Sequence, residues 1–214
     1  LAIQVKEHLL SYLKEEEAKK VLAFHQKEIC KLIHAQMQEH YWEEAIDYEV
    51  KVNKGFTELK PSAYTFSENE RVRDFKIPPD DKSNMAKYLF GRFKKCLYSV
   101  QKFQSDAERK LSVILERDAT KWFKPAKGQF QMFYKSGTEH REYLPDFVAE
   151  TNDTIYMLEP KASNQMTDAE VLAKKEVAVK WCKNASDYAK SYDGGKAWKY
   201  VLIPHDAIAD NMSI

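Results

Sequence analysis

Along residues 1–41, Leu9, Leu10, Leu13, Val21, Leu22, Phe24, Ile29, Leu32, Ile33 and Met37 recur at spacings of three and four among charged residues. That period gathers apolar side chains on one stripe, so the segment predicts two amphipathic helices or one long broken helix. Between Ile46 and Lys82 the pattern turns to alternation at Tyr48, Val50 and Val52, then to Pro61, Pro78 and Pro79 among charges, which predicts strands and loops. Lys87 to Val100 is an apolar and basic mixture carrying Leu89, Phe90, Phe93 and Leu97.

A sharper signal starts at Ser105. With Glu108 three residues on it makes a capping box, and Ala107, Leu111, Ile114 and Leu115 line one face of a helix expected to end near Asp118. Three segments rich in aromatic and β-branched residues follow, Gln129–Tyr134, Glu142–Ala149 and Thr154–Leu158, separated by Ser136-Gly137 and Asn152-Asp153. They predict a three-stranded meander. Thr167 and Glu170 form a second capping box, and Val171, Ala178, Cys182, Ala185 and Ala189 mark the buried stripe of a helix of about five or six turns. After Gly194-Gly195, Trp198–Ile203 is an apolar strand ending at Pro204. The order from residue 105 is helix, three strands, helix, strand: an α/β class with a helical N-terminal extension. The domain boundary is drawn between residues 1–85 and 86–214.

Composition narrows the function classes only a little. Lys and Arg number 34 against 33 Asp and Glu, so any DNA-facing basic surface must be local. The three cysteines, Cys30, Cys96 and Cys182, form no CxxC pair, which points away from zinc and redox motifs and towards a reducing cytoplasm. No apolar run approaches the ~18 residues that span a bilayer. Leu1 falls inside an already periodic pattern, so a longer parent chain is expected.

The hairpin around Asn152-Asp153 carries the chemistry. Whether it closes as a two-residue turn or a four-residue loop, Asp146 falls opposite Glu159 on one face, with Cβ atoms roughly 4.5–5.5 Å apart. Strand periodicity adds Lys161 to that face. Two carboxylates so close repel, and one pKa rises unless a cation lies between them. Mg²⁺, which takes one or two carboxylates and keeps water and phosphate oxygens, resolves the conflict. Lys161 is then placed to orient or deprotonate the attacking water and to steady charge on the phosphate. The rival reading is an ordinary exposed cross-strand charge cluster.

Pro145-Asp146 followed by Glu159-Pro160-Lys161, in a helix, three-strand, helix, strand frame, resembles the PD-(D/E)xK nuclease superfamily. The longer text Ser105-Asp106-Ala107-Glu108-Arg109, Lys121-Trp122-Phe123-Lys124-Pro125, Tyr143-Leu144-Pro145-Asp146-Phe147-Val148 and Leu202-Ile203-Pro204-His205 is similar to the C-terminal endonuclease region of type III restriction enzyme Res (R) subunits and related helicase–nuclease proteins. The similarity runs from about Phe90 to Asn211. It implies a restriction-endonuclease-like core of mixed sheet flanked by helices and Mg²⁺-dependent cleavage of double-stranded DNA, with Mn²⁺ as a substitute. Asp146 and Glu159 become metal ligands, the Pro160 carbonyl a third oxygen, Lys161 the residue at the water and Glu108 an auxiliary acid. It also implies an ATP-driven helicase domain in the same full-length chain and a methyltransferase/specificity subunit as partner. No GxxxxGK[ST] phosphate loop occurs here, so ATP would enter only through a motor outside this sequence.

Pro160 cannot donate to a ladder and predicts a bulge or a pairing gap. The Gln-x-x-x-Tyr helix motif of recombination nucleases is missing, leaving Lys174 or Lys175 in its place. Lys121 and Lys124, interleaved with Trp122 and Phe123, are further candidate DNA contacts, against a bland alternative of core aromatics with lysines in water. The function class most distant from a nuclease that the residues allow is a non-catalytic DNA-binding or assembly module keeping the same fold.

Overall fold

The amphipathic N-terminal stretch folds as three helices, α1 (Ala2–Leu10), α2 (Glu15–Phe24) and α3 (Gln26–His40). The first break falls at Lys14, whose extended backbone opens α2 while its amide donates to the Glu17 carboxylate at 3.2 Å. Glu15, Glu16 and Glu17 in the first turn favour that start, because helix N-termini carry partial positive charge. The second break is at His25, which leaves helical geometry and pairs through Nδ1 with Glu28 at 2.8 Å. In this unit Ala18 is buried, whereas Tyr12, Phe24, Leu32 and Met37 stay largely exposed.

The computed structural model describes residues 2–40, 58–62, 64, 71–136, 139–192 and 195–214, and the alternation at Tyr48, Val50 and Val52 lies outside them. The chain divides into compact units 1–50 and 51–214. The expected boundary at 85/86 therefore moves to 50/51. The reason is packing: Phe75 and Met85 are buried in the same cluster as Phe90, Phe103 and Leu111. That neighbourhood includes a small sheet of β1 (Arg73–Asp74), β2 (Phe90–Gly91) and β3 (Val100–Gln101).

Helix α4 (Asp106–Asp118) starts and stops where its capping signals place it. The Ser105 hydroxyl accepts from the Glu108 amide at 3.2 Å, satisfying one of the free amides of the first turn. The reciprocal bond of the box is displaced by one residue: the Glu108 carboxylate accepts from the Gln104 amide at 3.1 Å. Arg109, buried beside it, holds Asp106 at 2.7 Å and the Phe75 carbonyl at 3.0 Å, so the helix start is tied to the preceding loop.

The strands that follow correct the expected meander. After β4 (Lys121–Phe123), β5 (Met132–Ser136) and β6 (Glu139–Tyr143) pair with each other in a separate two-stranded sheet among the described residues, and the chain re-enters the main sheet as β7 (Phe147–Glu150) and β8 (Thr154–Lys161). The segment Glu142–Ala149 is thus two strands, broken at Leu144-Pro145-Asp146, because proline has no amide for a ladder. Helix α5 (Ala169–Tyr192) crosses over to β9 (Ala197–Pro204). The four-stranded sheet runs β4-β7-β8-β9, antiparallel up to β8 and parallel between β8 and β9. The molecule is therefore mixed α/β, with helices against its sheets.

Both faces of this sheet are covered. Phe147, Ala149, Leu158 and Ile203 pack in one cluster with Leu111, Ile114 and Leu115 of α4. Val148 and Met157 pack in another with Ala178 and Cys182 of α5 and with Met132, Tyr134 and Tyr143 of the hairpin. Successive strand residues face opposite sides, so Phe147-Val148 and Met157-Leu158 are apolar at both positions. On α5 the stripe is Val171, Ala178, Cys182 and Ser186, with Ala185 and Ala189 only half-buried. Ser186 belongs inside because its Oγ donates to the Cys182 carbonyl at 2.7 Å and accepts from the Trp198 amide at 2.8 Å, joining α5 to β9. Asp168, rather than Thr167, directly precedes α5, and the Glu170 carboxylate receives the Tyr134 hydroxyl at 2.9 Å.

Candidate active site

The turn between β7 and β8 is the two-residue form. Thr151 and Thr154 close it through an N–H to carbonyl bond of 2.9 Å, and the pairing Phe147 with Leu158 to Glu150 with Ile155 keeps one register throughout. Continued by one step, that register sets Asp146 opposite Glu159. Asp146 lies one residue before β7, where the ladder has ended, so its side chain is not held by strand pairing. Glu159 is 3% exposed, while the side chain of Asp146 is 24% exposed.

Lys161 joins them from two residues along β8. Its ammonium lies 2.9 Å from Glu159 Oε1 and 3.9 Å from Asp146 Oδ2. Burial works against its charge, but Glu159, with Asp146 and Glu108 adding, offsets this and holds its pKa above the ordinary lysine value. The second oxygen of Glu159 accepts from the Tyr143 hydroxyl at 2.9 Å. Burial and the negative charge of Glu159 push the Asp146 carboxyl up to about 7, with Lys124 opposing and Glu108 adding to the rise.

Glu108 and Lys124 complete the cluster. Glu108 is buried on the first turn of α4, and Lys124, one residue past β4, donates to its Oε2. Pairing of β4 with β7 puts Phe123 opposite Val148, so the next step sets Lys124 beside Phe147. Its ammonium lies 4.6 Å from the Phe147 ring centroid and 5.8 Å from that of Phe103. The side chain of Lys124 is 15% exposed, which corrects the picture of a lysine free in water or on an open phosphate-binding face. Trp122 and Phe123 are buried, as core residues.

Pro160 causes no bulge. The parallel register of β8 with β9 runs unbroken through Pro160 and Ile203, and the gap falls on the β7 side, where pairing ends at Leu158. Lys121 pairs with Glu150 at 2.9 Å, at the turn end of the sheet. Glu150 lies four residue steps along the strand from Asp146, roughly 13 Å, so Lys121 does not belong to this cluster. Lys174 is 2.7 Å from Glu170 and lies over the Tyr134 ring, and Lys175 is exposed on α5. Tyr143 is the participant that sequence reasoning did not assign. Its only signal was its place three residues before Asp146, which does not reveal that the hydroxyl reaches β8.

Two carboxylates from neighbouring strands, one lysine spanning them and a second acid–lysine pair beside them can hold a cation or an anionic group next to a cation. Among the described residues no group of three or more His, Cys, Asp and Glu side chains stands at metal-holding distance. Among the same residues no helix is long and apolar enough to cross a membrane. No family model, curated protein or solved structure matches the chain.

Proposed function

We propose that this chain carries a divalent-cation-dependent endonuclease site of the PD-(D/E)xK type, hydrolysing DNA phosphodiesters with Asp146, Glu159 and Lys161 at its centre and Glu108 as auxiliary acid. One observation carries the proposal: two carboxylates from adjacent strands meet under a single lysine, and the Asp146 carboxyl is pushed up to about 7. The frame of α4, β4, β7, β8, α5 and β9 supports it: with the β5–β6 hairpin set aside as an insertion between β4 and β7, it keeps the helix, three-strand, helix, strand order that the sequence resemblance implies.

The donor set fits a hard cation. Mg²⁺ needs only one or two carboxylates, and the repulsion that raises Asp146 is the cost a cation removes. Asp146 and Glu159 would hold it, with the Pro160 carbonyl on the same strand; Mn²⁺ can substitute. When bound, such an ion supplies positive charge to the phosphate and acidity to a water. Lys161 would orient or deprotonate the attacking water and steady charge on the phosphate. Glu108 keeps Lys124 beside Asp146. Double-stranded DNA is the substrate in this proposal, and an ATP-driven helicase domain of the full-length chain and a methyltransferase/specificity subunit are its partners.

A second reading, a DNA-binding or assembly module that keeps the fold without cutting, is favoured by one feature: among the described residues no group of three or more His, Cys, Asp and Glu side chains stands at metal-holding distance. Plasmid nicking by the full-length protein in Mg²⁺, Mn²⁺ or EDTA separates the two. Cleavage should require the metal and be abolished by Asp146→Asn, Glu159→Gln and Lys161→Ala, each folded by circular dichroism. Normal cutting by any folded variant overturns the nuclease assignment, and metal-independent DNA binding without nicking establishes the module.

A further inference from the structure

Glu159 is held at both ends of its carboxylate. Oε1 takes the Lys161 ammonium and Oε2 takes the Tyr143 hydroxyl, each at 2.9 Å. The terminal torsion of a glutamate is soft, so a carboxylate with one donor can still rotate, whereas one with a donor on each oxygen cannot. Tyr143 is 1% exposed and Glu159 3%. A buried carboxylate needs hydrogen-bond donors, and the Tyr143 hydroxyl supplies one that a phenylalanine filling the same space would not.

The position of Tyr143 is determined by the hairpin inserted between β4 and β7. It is the last residue of β6, paired with Met132, and both pack in one cluster with Ala178 and Cys182 of α5. Only Leu144 and Pro145 then separate it from Asp146. The hairpin that delivers the hydroxyl to one carboxylate therefore leads directly into the other.

We propose that Tyr143 is the positioning residue for Glu159, its hydroxyl fixing the carboxylate in the orientation that receives a divalent cation. The proposal rests on the metal-site assignment made above. Outer-shell partners of this kind set the orientation of a ligand, and losing one typically costs 10- to 100-fold in metal affinity or activity.

The test is calorimetric titration of the chain with Mn²⁺ alone, for wild type, Glu159→Gln and Tyr143→Phe, with nicking kinetics of the same variants in the full-length protein. Tyr143→Phe is expected to weaken Mn²⁺ binding about tenfold or more and to lower kcat while leaving KM for DNA unchanged. Glu159→Gln is expected to abolish the binding. If Tyr143→Phe binds Mn²⁺ as tightly as wild type while Glu159→Gln does not bind, the role of Tyr143 is overturned and the metal site stands. If wild type binds no Mn²⁺, both are overturned. Should Tyr143→Phe not fold, 3-fluorotyrosine placed at position 143 keeps the ring and its hydroxyl. Its fluorine resonance should shift with Mg²⁺ and stay unchanged in a Glu159→Gln background. A resonance indifferent to Mg²⁺ in the otherwise wild-type chain overturns the proposal.

Discussion

Lys161 and Glu159, two residues apart on β8, form a 2.9 Å ion pair around a carboxylate that is almost fully buried. Alternation along a strand puts residues i and i+2 on the same face, so the pair is built into the local geometry of β8. What β8 alone does not supply is Asp146, 3.9 Å from the same ammonium and brought there by the β7–β8 turn. The lysine thus spans two acids from different strands, and at Asp146 it shares the counter-charge with Lys124.

Replacing Lys161 by methionine should therefore destabilise the metal-free protein at neutral pH, because it leaves Glu159 buried without its counter-charge. Breaking a buried pair from one side costs on the order of 3 kcal/mol, less here because the lysine side chain is 26% exposed. Urea unfolding in EDTA measures the loss, and millimolar Mg²⁺ should restore part of it. A variant as stable as wild type in EDTA would show that the pair is solvent-relaxed.

Asp146→Asn should behave in the opposite way. An acid whose folded pKa is raised to about 7, from roughly 3.9 unfolded, binds more protons folded than unfolded between those values. Its contribution to stability therefore falls as pH rises through that window. The melting temperature of wild type in EDTA, relative to Asp146→Asn, should drop between about pH 4 and pH 7. At neutral pH the variant should melt no lower than wild type. Wild type should regain about 2.7 kcal/mol at a hundredfold excess of Mg²⁺ over its dissociation constant, a gain most of which the variant should lose. Parallel melting curves for the two proteins at all pH values would count against the raised carboxyl.

The Glu108–Lys124 pair joins α4 to the end of β4 with both side chains largely buried. Lys124→Met alone and Glu108→Gln alone should each cost on the order of 3 kcal/mol, since each leaves one buried charge uncompensated. The double variant should cost clearly less than the two added together. Additive losses in urea unfolding would mean that the two charges do not interact.

Tyr200 carries a buried hydroxyl that makes no hydrogen bond of good geometry among the described residues, although it interacts with the Tyr143 hydroxyl. Removing an unsatisfied buried polar group relieves a desolvation cost of about 1–3 kcal/mol, so Tyr200→Phe should be at least as stable as wild type and fold identically. A lower melting temperature would reveal a bond to this hydroxyl that forms in solution.

What the sequence determined by itself was local. Ser105 and Glu108 set the start of α4 because a cap acts within four residues, and Asn152-Asp153 set the register of β7 with β8 because a short turn leaves one pairing that buries Phe147 and Leu158. From that register the apposition of Asp146, Glu159 and Lys161 followed without any knowledge of the rest of the fold. Tertiary structure decided what depends on contacts between distant segments. Lys121-Trp122-Phe123 is too short to announce itself as a strand, and it joins the main sheet only because β7 offers it an edge. Gln129–Tyr134 looks like a sheet strand but pairs with β6 instead, since alternation shows that a face is buried and not against which partner. Phe75 and Met85 look like loop residues among prolines until Phe90 and Leu111 provide the core that takes them in. Tyr143 reaches Glu159 across 16 positions of chain, through a hairpin whose docking on α5 no local pattern encodes. Period and capping act over a few residues along the chain, whereas burial, and the pKa values it shifts, depend on which segments meet.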